Sequence, residues 1–423
     1  MKTRLLATFF FVSTFLNAQP RWQQQADYQM EVSLDPQKHL IKGREFITYT
    51  NNSPDTLSKV YFHLYWNAFQ PGSMMDVRSR SLPDPDRRVQ DRISKLSEKE
   101  IGYQKIVSFI QNGRQATTRV IGTILEVQLP SLLLPHSKTT FEVTFESQVP
   151  IQIRRSGRDN REGIAYSMTQ WYPKIAEYDH QGWHPYQYVA REFHGVWGNY
   201  DVTINIPPEF VVAGTGKLQN ALEVGHGYED VGAKVSRPKG NLKWHFVAPN
   251  VIDFAWAADP QYKHERIRVP GGPELHFFYQ PGEKTKHWPD LMPVGVKLFQ
   301  FMNTRFGAYP FDTYSIIQGG DGGMEYPMCT LILGEVGFQG TAGTMIHEVA
   351  HSWFQMTLAS NEALYAWMDE GFTTFATAEA GSFVFDRKLI NPQGSTMDGF
   401  EKFVKSGIDE PATQHSDVFT TNA

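Results

Sequence analysis

The chain of 423 residues has a single cysteine, Cys329, so no disulfide can form within it. A chain this long buries enough core to fold without one. Cys329 lies in the apolar run YPMCTLIL, which predicts a buried small hydrophobe and not a nucleophile. No apolar run approaches the roughly twenty residues that span a bilayer, which excludes a transmembrane helix. Long runs of one charge sign are absent too, and the net charge is only −5. The densest charge, Asp76 to Lys105, is of mixed sign and reads as a solvated loop, so a nucleic-acid partner is not expected. Internal repeats and low-complexity tracts are also missing.

What is present begins with a leader pattern. Met1-Lys2-Thr3-Arg4 is a basic head, Leu5 to Leu16 is apolar, and Asn17-Ala18 ends in a small residue. This predicts a secretory signal peptide over 1–18, cut near Ala18, and export to the periplasm or the extracellular space. Hydrophobic residues make up 41% and charged residues 20%, the balance of a folded globular protein.

From Tyr28 to about Ala258 the pattern alternates with period two. Strands are expected at Tyr28–Leu34, His39–Thr50, Val60–Trp66, Ile121–Leu129, Thr139–Phe145, Tyr200–Ile206, Phe210–Ala213 and Leu242–Val247. After about Tyr262 the period becomes helical: a helix starting at Trp288-Pro289-Asp290 and ending near Phe306-Gly307, a short strand at Tyr314–Ile317, and a helix over about Thr341–Met356. The expected fold class is therefore α+β. An N-terminal β-sandwich or saddle spans 19–262, and a second, partly helical domain spans 263–423.

The chemistry concentrates in the second domain. His347-Glu348-x-x-His351 places two imidazoles one helical turn apart on one face, the arrangement by which two histidines reach one zinc ion. Glu348 stands beside them as a general base for a metal-activated water. Eighteen residues further on, Glu370 can return from a second helix as a third, carboxylate ligand, leaving one position open. Phe354 and Thr357 stand where a metzincin needs Gly and His, so that arrangement is excluded. Upstream, Gly322-Gly323-Met324-Glu325 joins a backbone edge that a ligand can approach closely to one carboxylate. His180, His184 and His194 are irregularly spaced around Gly182 and Pro185 and read as polar loop histidines, not as a second metal site.

Taken together, these residues resemble the gluzincin aminopeptidase family typified by aminopeptidase N. Its hallmark is a Gly-x-Met-Glu-Asn strand, then His-Glu-x-x-His, then a glutamate eighteen residues on. Asp253–Ala257, Phe306–Pro310 and Val211–Gly216 look like further landmarks, and the resemblance runs over roughly residues 28–423. It implies a thermolysin-like catalytic domain behind the β domain and one zinc per chain, held by His347, His351 and Glu370. It also implies that Glu348 is the base and that Glu325 holds a peptide's free α-amine. The edge at Gly322, Gly323 and Met324 would pair with substrate backbone, and Gln170 would contact substrate from the β domain.

Two departures stand out. Tyr326 replaces the motif's Asn, and no tyrosine follows Tyr365, although the family's oxyanion-stabilising tyrosine comes after the third ligand. With no helical C-terminal region in view either, the sequence reads as a catalytic domain cut short, expected to be weakly active or inactive as it stands. Three functions remain in contention: a zinc aminopeptidase first, a thermolysin-like endopeptidase second, and a non-catalytic binding fragment of the same fold third.

Overall fold

The computed structural model describes residues 22–189, 194–387, 392–407 and 409–420; the expected leader lies outside them. Gln25–Asp35 buries Ala26, Tyr28, Met30, Val32 and Leu34 and exposes most of the residues between, as the alternation requires. It sits mid-sheet in eight strands ordered Lys217–Leu218, Leu242–Val251, Gly198–Ile206, Gln25–Asp35, Leu40–Asn51, Ser137–Gln148, Tyr103–Gln111 and Arg114–Gln115. All its ladders are antiparallel except Gln25–Asp35 with Gly198–Ile206. Two four-stranded sheets share its core, one around Leu57–His63 and Ile124–Leu133, the other around Val211–Gly214 and Trp256–Asp259.

This core holds one buried carboxyl that nothing pairs with, among the described residues. Glu45 is fully buried, neither carboxylate oxygen has a hydrogen-bond partner, and burial raises its carboxyl well above the usual range. A raised folded-state pKa gives a stability contribution that is complete below the unfolded value and is lost as pH rises towards the folded one. Glu45→Leu is therefore expected to gain about 1–3 kcal/mol near pH 8. Most of that gain should vanish below about pH 4, in urea unfolding followed at several pH values. A gain that does not change with pH would contradict this account.

Several strand expectations shift. The run from Val60 leaves strand at His63 and closes a 3-10 turn at Tyr65–Ala68. Ile121–Leu129 divides at Gly122, which has positive φ, into a hairpin of Thr117–Ile121 and Ile124–Leu133. The charged stretch after Asp76 is not simply a solvated loop. It opens in helix α1 (Met74–Ser81), capped by Ser73, and leads into the Tyr103–Gln111 strand. Asp76 is buried against Arg80, and Arg88 bridges Asp86 and Asp321, while most of the other charged residues of the stretch are exposed as expected. Cys329 is buried, and burial pushes its thiol up to about 12.

From Lys263 a five-stranded sheet begins, ordered Lys263–Arg268, Glu274–Tyr279, Thr313–Gln318, Cys329–Ile332 and Gly323–Tyr326. Its last strand, carrying Met324 and Glu325, is an edge and runs antiparallel to its neighbour. Helices α2 (Trp288–Phe306), α3 (Gly337–Phe354) and α4 (Glu362–Val384) pack on this sheet, with α5 (Pro392–Ser406) beyond them. The core here joins Leu291, Leu298, Phe299 and Met302 of α2 to Met345, Ile346 and Val349 of α3, residues at helical spacing. Met324, Tyr326, Cys329 and Leu331 instead belong to the core of the β sheets, so the site strand is wedged between both bodies. Trp367, Phe372, Phe375 and Phe383 on α4 and Met397, Phe400 and Phe403 on α5 are exposed. Among the described residues no helix is long and apolar enough to cross a membrane.

Candidate active site

Helix α3 carries His347 and His351 one turn apart, and α4 crosses beside it with Glu370. Asn361 caps α4, receiving the Leu364 N–H at 3.3 Å, and the backbone leaves helical geometry at Tyr365 before the turn that presents Glu370. His347 Nε2 and His351 Nε2 lie 3.2 Å apart. Glu370 Oε2 is 3.3 Å from the first and 3.8 Å from the second. Donors about 2.1 Å from one tetrahedral centre would be about 3.4 Å from each other. Two nitrogens and one carboxylate oxygen at these separations fit a zinc ion.

Residues that the motif does not announce orient the two imidazoles. His351 Nδ1 faces Asp369 Oδ1 at 2.5 Å, and Thr373 Oγ1 lies 3.1 Å from the same nitrogen. Thr377 Oγ1 donates to the Thr373 carbonyl and is 3.3 Å from His347 Nδ1. Asp369, Thr373 and Thr377 are four apart, so one face of α4 holds both outer nitrogens and leaves both Nε2 lone pairs facing inward. Burial alone would lower the His351 imidazolium, but Glu325, Asp369 and Glu348 surround it and raise it to about 10. Four acids with two histidines make a pocket that seeks positive charge. Asp369→Asn is expected to weaken zinc binding about 10–100-fold, read by competition with a chelating dye. An unchanged affinity would leave Asp369 without this role.

Glu348 is buried between α3 and the edge strand. Burial raises its carboxyl, while His351, His347 and Arg155 pull it back down. A Cβ on Gly323 would come within 2.0 Å of Glu348 Oε1 and 2.7 Å of Thr344 Cγ2, so only glycine lets strand and helix approach this closely. Glu325, also buried, comes within 3.8 Å of His351 Nδ1. Its carboxyl is raised well above the usual range by burial, eased by His351 and raised further by Asp369, Glu348 and Glu362.

Along the edge strand, the Gly322 and Met324 carbonyls bond inward, to Leu333 N and Thr330 Oγ1. By alternation Gly323 and Glu325 turn their backbone groups outward. Arg155, from the β-domain loop after Gln148, donates to the Gly323 carbonyl at 2.8 Å. Gln170 is buried with positive φ, and its amide pairs with the Tyr326 hydroxyl at 3.2 and 3.3 Å. The residue that replaces the motif's Asn thus ties this strand to the β domain through the very glutamine singled out as a substrate contact. Arg155 carries no sequence signal, because it reaches the site only through long-range folding. Asp369, next to Glu370 in Met-Asp-Glu-Gly, did carry one.

No protein-family model matches the chain, and no curated protein matches it in sequence. Solved structures do match its fold. An M1 zinc metallopeptidase from Deinococcus radiodurans is 13% identical, with a TM-score of 0.57 over 93% of this chain and 76% of that one. A point mutant of an M1 zinc metallopeptidase from the same organism, bound to a Tyr-Ser-Ala substrate, gives 0.58 at 13% identity over 95% and 77%. A two-domain M1 zinc metallopeptidase mutant bound to L-tryptophan gives 0.59 at 12% identity over 93% and 78%. At these identities the likeness is one of fold.

Proposed function

We propose that this protein is a zinc-dependent aminopeptidase that removes residues from the free amino end of peptides. The observation that carries the reading is the convergence of His347, His351 and Glu370 donors within 3.8 Å, beside Glu348 and beneath the strand bearing Glu325. The fold shared with metallopeptidases, one of them bound to Tyr-Ser-Ala, supports it. Zinc, when bound, would supply the Lewis acid that polarises a carbonyl and acidifies a water.

The remaining work falls to the chain. Glu348 takes a proton from the attacking water and delivers it to the departing amine, so the peptide C–N bond breaks with protons conserved. A carboxyl raised by burial, as Glu348 is, is a stronger base for taking that proton than an exposed one. Glu325 needs a cation to ionise in its buried place, and a substrate's protonated α-amine is one. The outward Gly323 N–H and the outward backbone groups of Glu325 offer a peptide the hydrogen bonds of an added strand, beside the Gly323 carbonyl that Arg155 already holds. Export after cleavage near Ala18 belongs to the same proposal and is supported by the leader pattern.

Paired peptides with free and acetylated amino ends test the specificity. Acetylation is expected to lower kcat/KM by about 10-fold or more, because the charge-assisted contact to Glu325 is lost. A chelator should abolish hydrolysis of both, and zinc should restore it. Equal rates on both peptides would favour the endopeptidase reading. Hydrolysis that persists in chelator would rule out both zinc readings.

A further inference from the structure

A second cluster of metal-ligand type lies in the β domain, built from residues the proposed chemistry does not use. The hairpin of Tyr178–Asp179 with Gly182–Trp183 turns the chain back so that Asp179 and His184 face each other, and His194 joins them from the following segment. One carboxylate oxygen and one ring nitrogen from each histidine all lie within 4.8 Å of one another. His180, from the same run, stays out of the group and is exposed. Irregular spacing in sequence concealed this convergence, because the hairpin sets it and no helical period does.

The group has the marks of a ligand site and not of a simple hydrogen-bonded knot. The His184 side chain is only 2% exposed, and its Nε2 lies 2.8 Å from Asp179 Oδ1. The pair lacks hydrogen-bond alignment, and Nε2 has no such partner despite its burial. Both ring nitrogens of His194 are buried without a hydrogen bond as well, although Nε2 stands 3.8 Å from Asp179 Oδ2. Folded proteins pair most of their buried polar atoms, and ring nitrogens without a hydrogen bond gathered around one carboxylate are donors that a cation can take up. The other side of His184 is already fixed, with Nδ1 at 3.0 Å from Tyr186 Oη, the outer-shell contact that orients a ligating imidazole. His184 and His194 border a cavity of about 30 Å³, room for one further water ligand.

We propose that Asp179, His184 and His194 form a second site for a divalent transition metal, zinc by its donor set of two imidazoles and a carboxylate. His415 and Ala363, in the first turn of α4, line the same cavity, and His415 meets Tyr186 edge-on with ring centroids 4.4 Å apart. A metal there would pin the C-terminal segment and the start of α4 to the β domain, a structural role apart from hydrolysis.

Zinc counting on four forms of the full chain tests this, each stripped with chelator, reloaded with excess zinc and desalted. The unmodified chain is expected to retain two zinc ions, His347→Ala/His351→Ala one, and His184→Ala/His194→Ala one. Asp179→Asn in the His347→Ala/His351→Ala background keeps side-chain volume and should weaken the remaining ion at least 10-fold. Zinc should also raise the melting temperature of His347→Ala/His351→Ala and cease to do so once Asp179→Asn is added. One zinc in His347→Ala/His351→Ala but none in His184→Ala/His194→Ala would uphold this site and sink the first. No zinc in folded His347→Ala/His351→Ala, or zinc there indifferent to Asp179→Asn, would overturn the proposal.

Discussion

Glu348→Gln is expected to lower peptide turnover by about 10²–10⁴-fold while the protein still binds zinc and folds. Glutamine keeps the shape of the side chain that packs against Gly323 and removes only its ability to exchange a proton. Stability should not suffer, since the replaced carboxyl is buried and its ionised form disfavoured there. KM should change far less than kcat, because the lost interaction operates in the transition state. Turnover close to that of the parent would remove Glu348 from the mechanism, and loss of zinc would assign it to the metal instead.

His351→Ala should do the widest damage of any single substitution at the site. It removes one of three donors, so zinc binding at this centre and hydrolysis should both fall below detection. It also strips Asp369 and Glu325 of the imidazole they share, leaving buried acids without a counter-charge. A deficit of about 3–5 kcal/mol in the metal-free protein is expected from that alone. The deficit should shrink as pH is lowered and the stranded carboxyls take up protons. Urea unfolding of metal-free parent and variant at two pH values measures it. If the variant binds one zinc at His347 and Glu370 as tightly as the parent, the geometry proposed for this centre is wrong.

How much the sequence disclosed depends on the range of the interactions involved. His347, Glu348 and His351 lie within five residues on one helix, so their common face comes from helical geometry alone. Glu370 and Glu325 needed a motif spacing, and both arrive beside that helix. Helix α2 begins and ends where Trp288-Pro289-Asp290 and Phe306-Gly307 predict, because local start and stop signals act there. Arg155, Gln170 with Tyr326, and the trio Asp179, His184 and His194 escaped. Their contacts join distant segments or depend on a hairpin turn that composition does not report. In the stretch after Asp76 most charged residues are exposed, as polarity suggested; Asp76 itself, paired with Arg80 and buried, is the exception.

The open side of the Gly323–Tyr326 strand carries one more implication. Amide groups are the same in every peptide, so a groove that grips main chain is blind to most of the message written in side chains. An enzyme built on such a groove would take its discrimination from the leading residue and remain indifferent to the rest of the peptide.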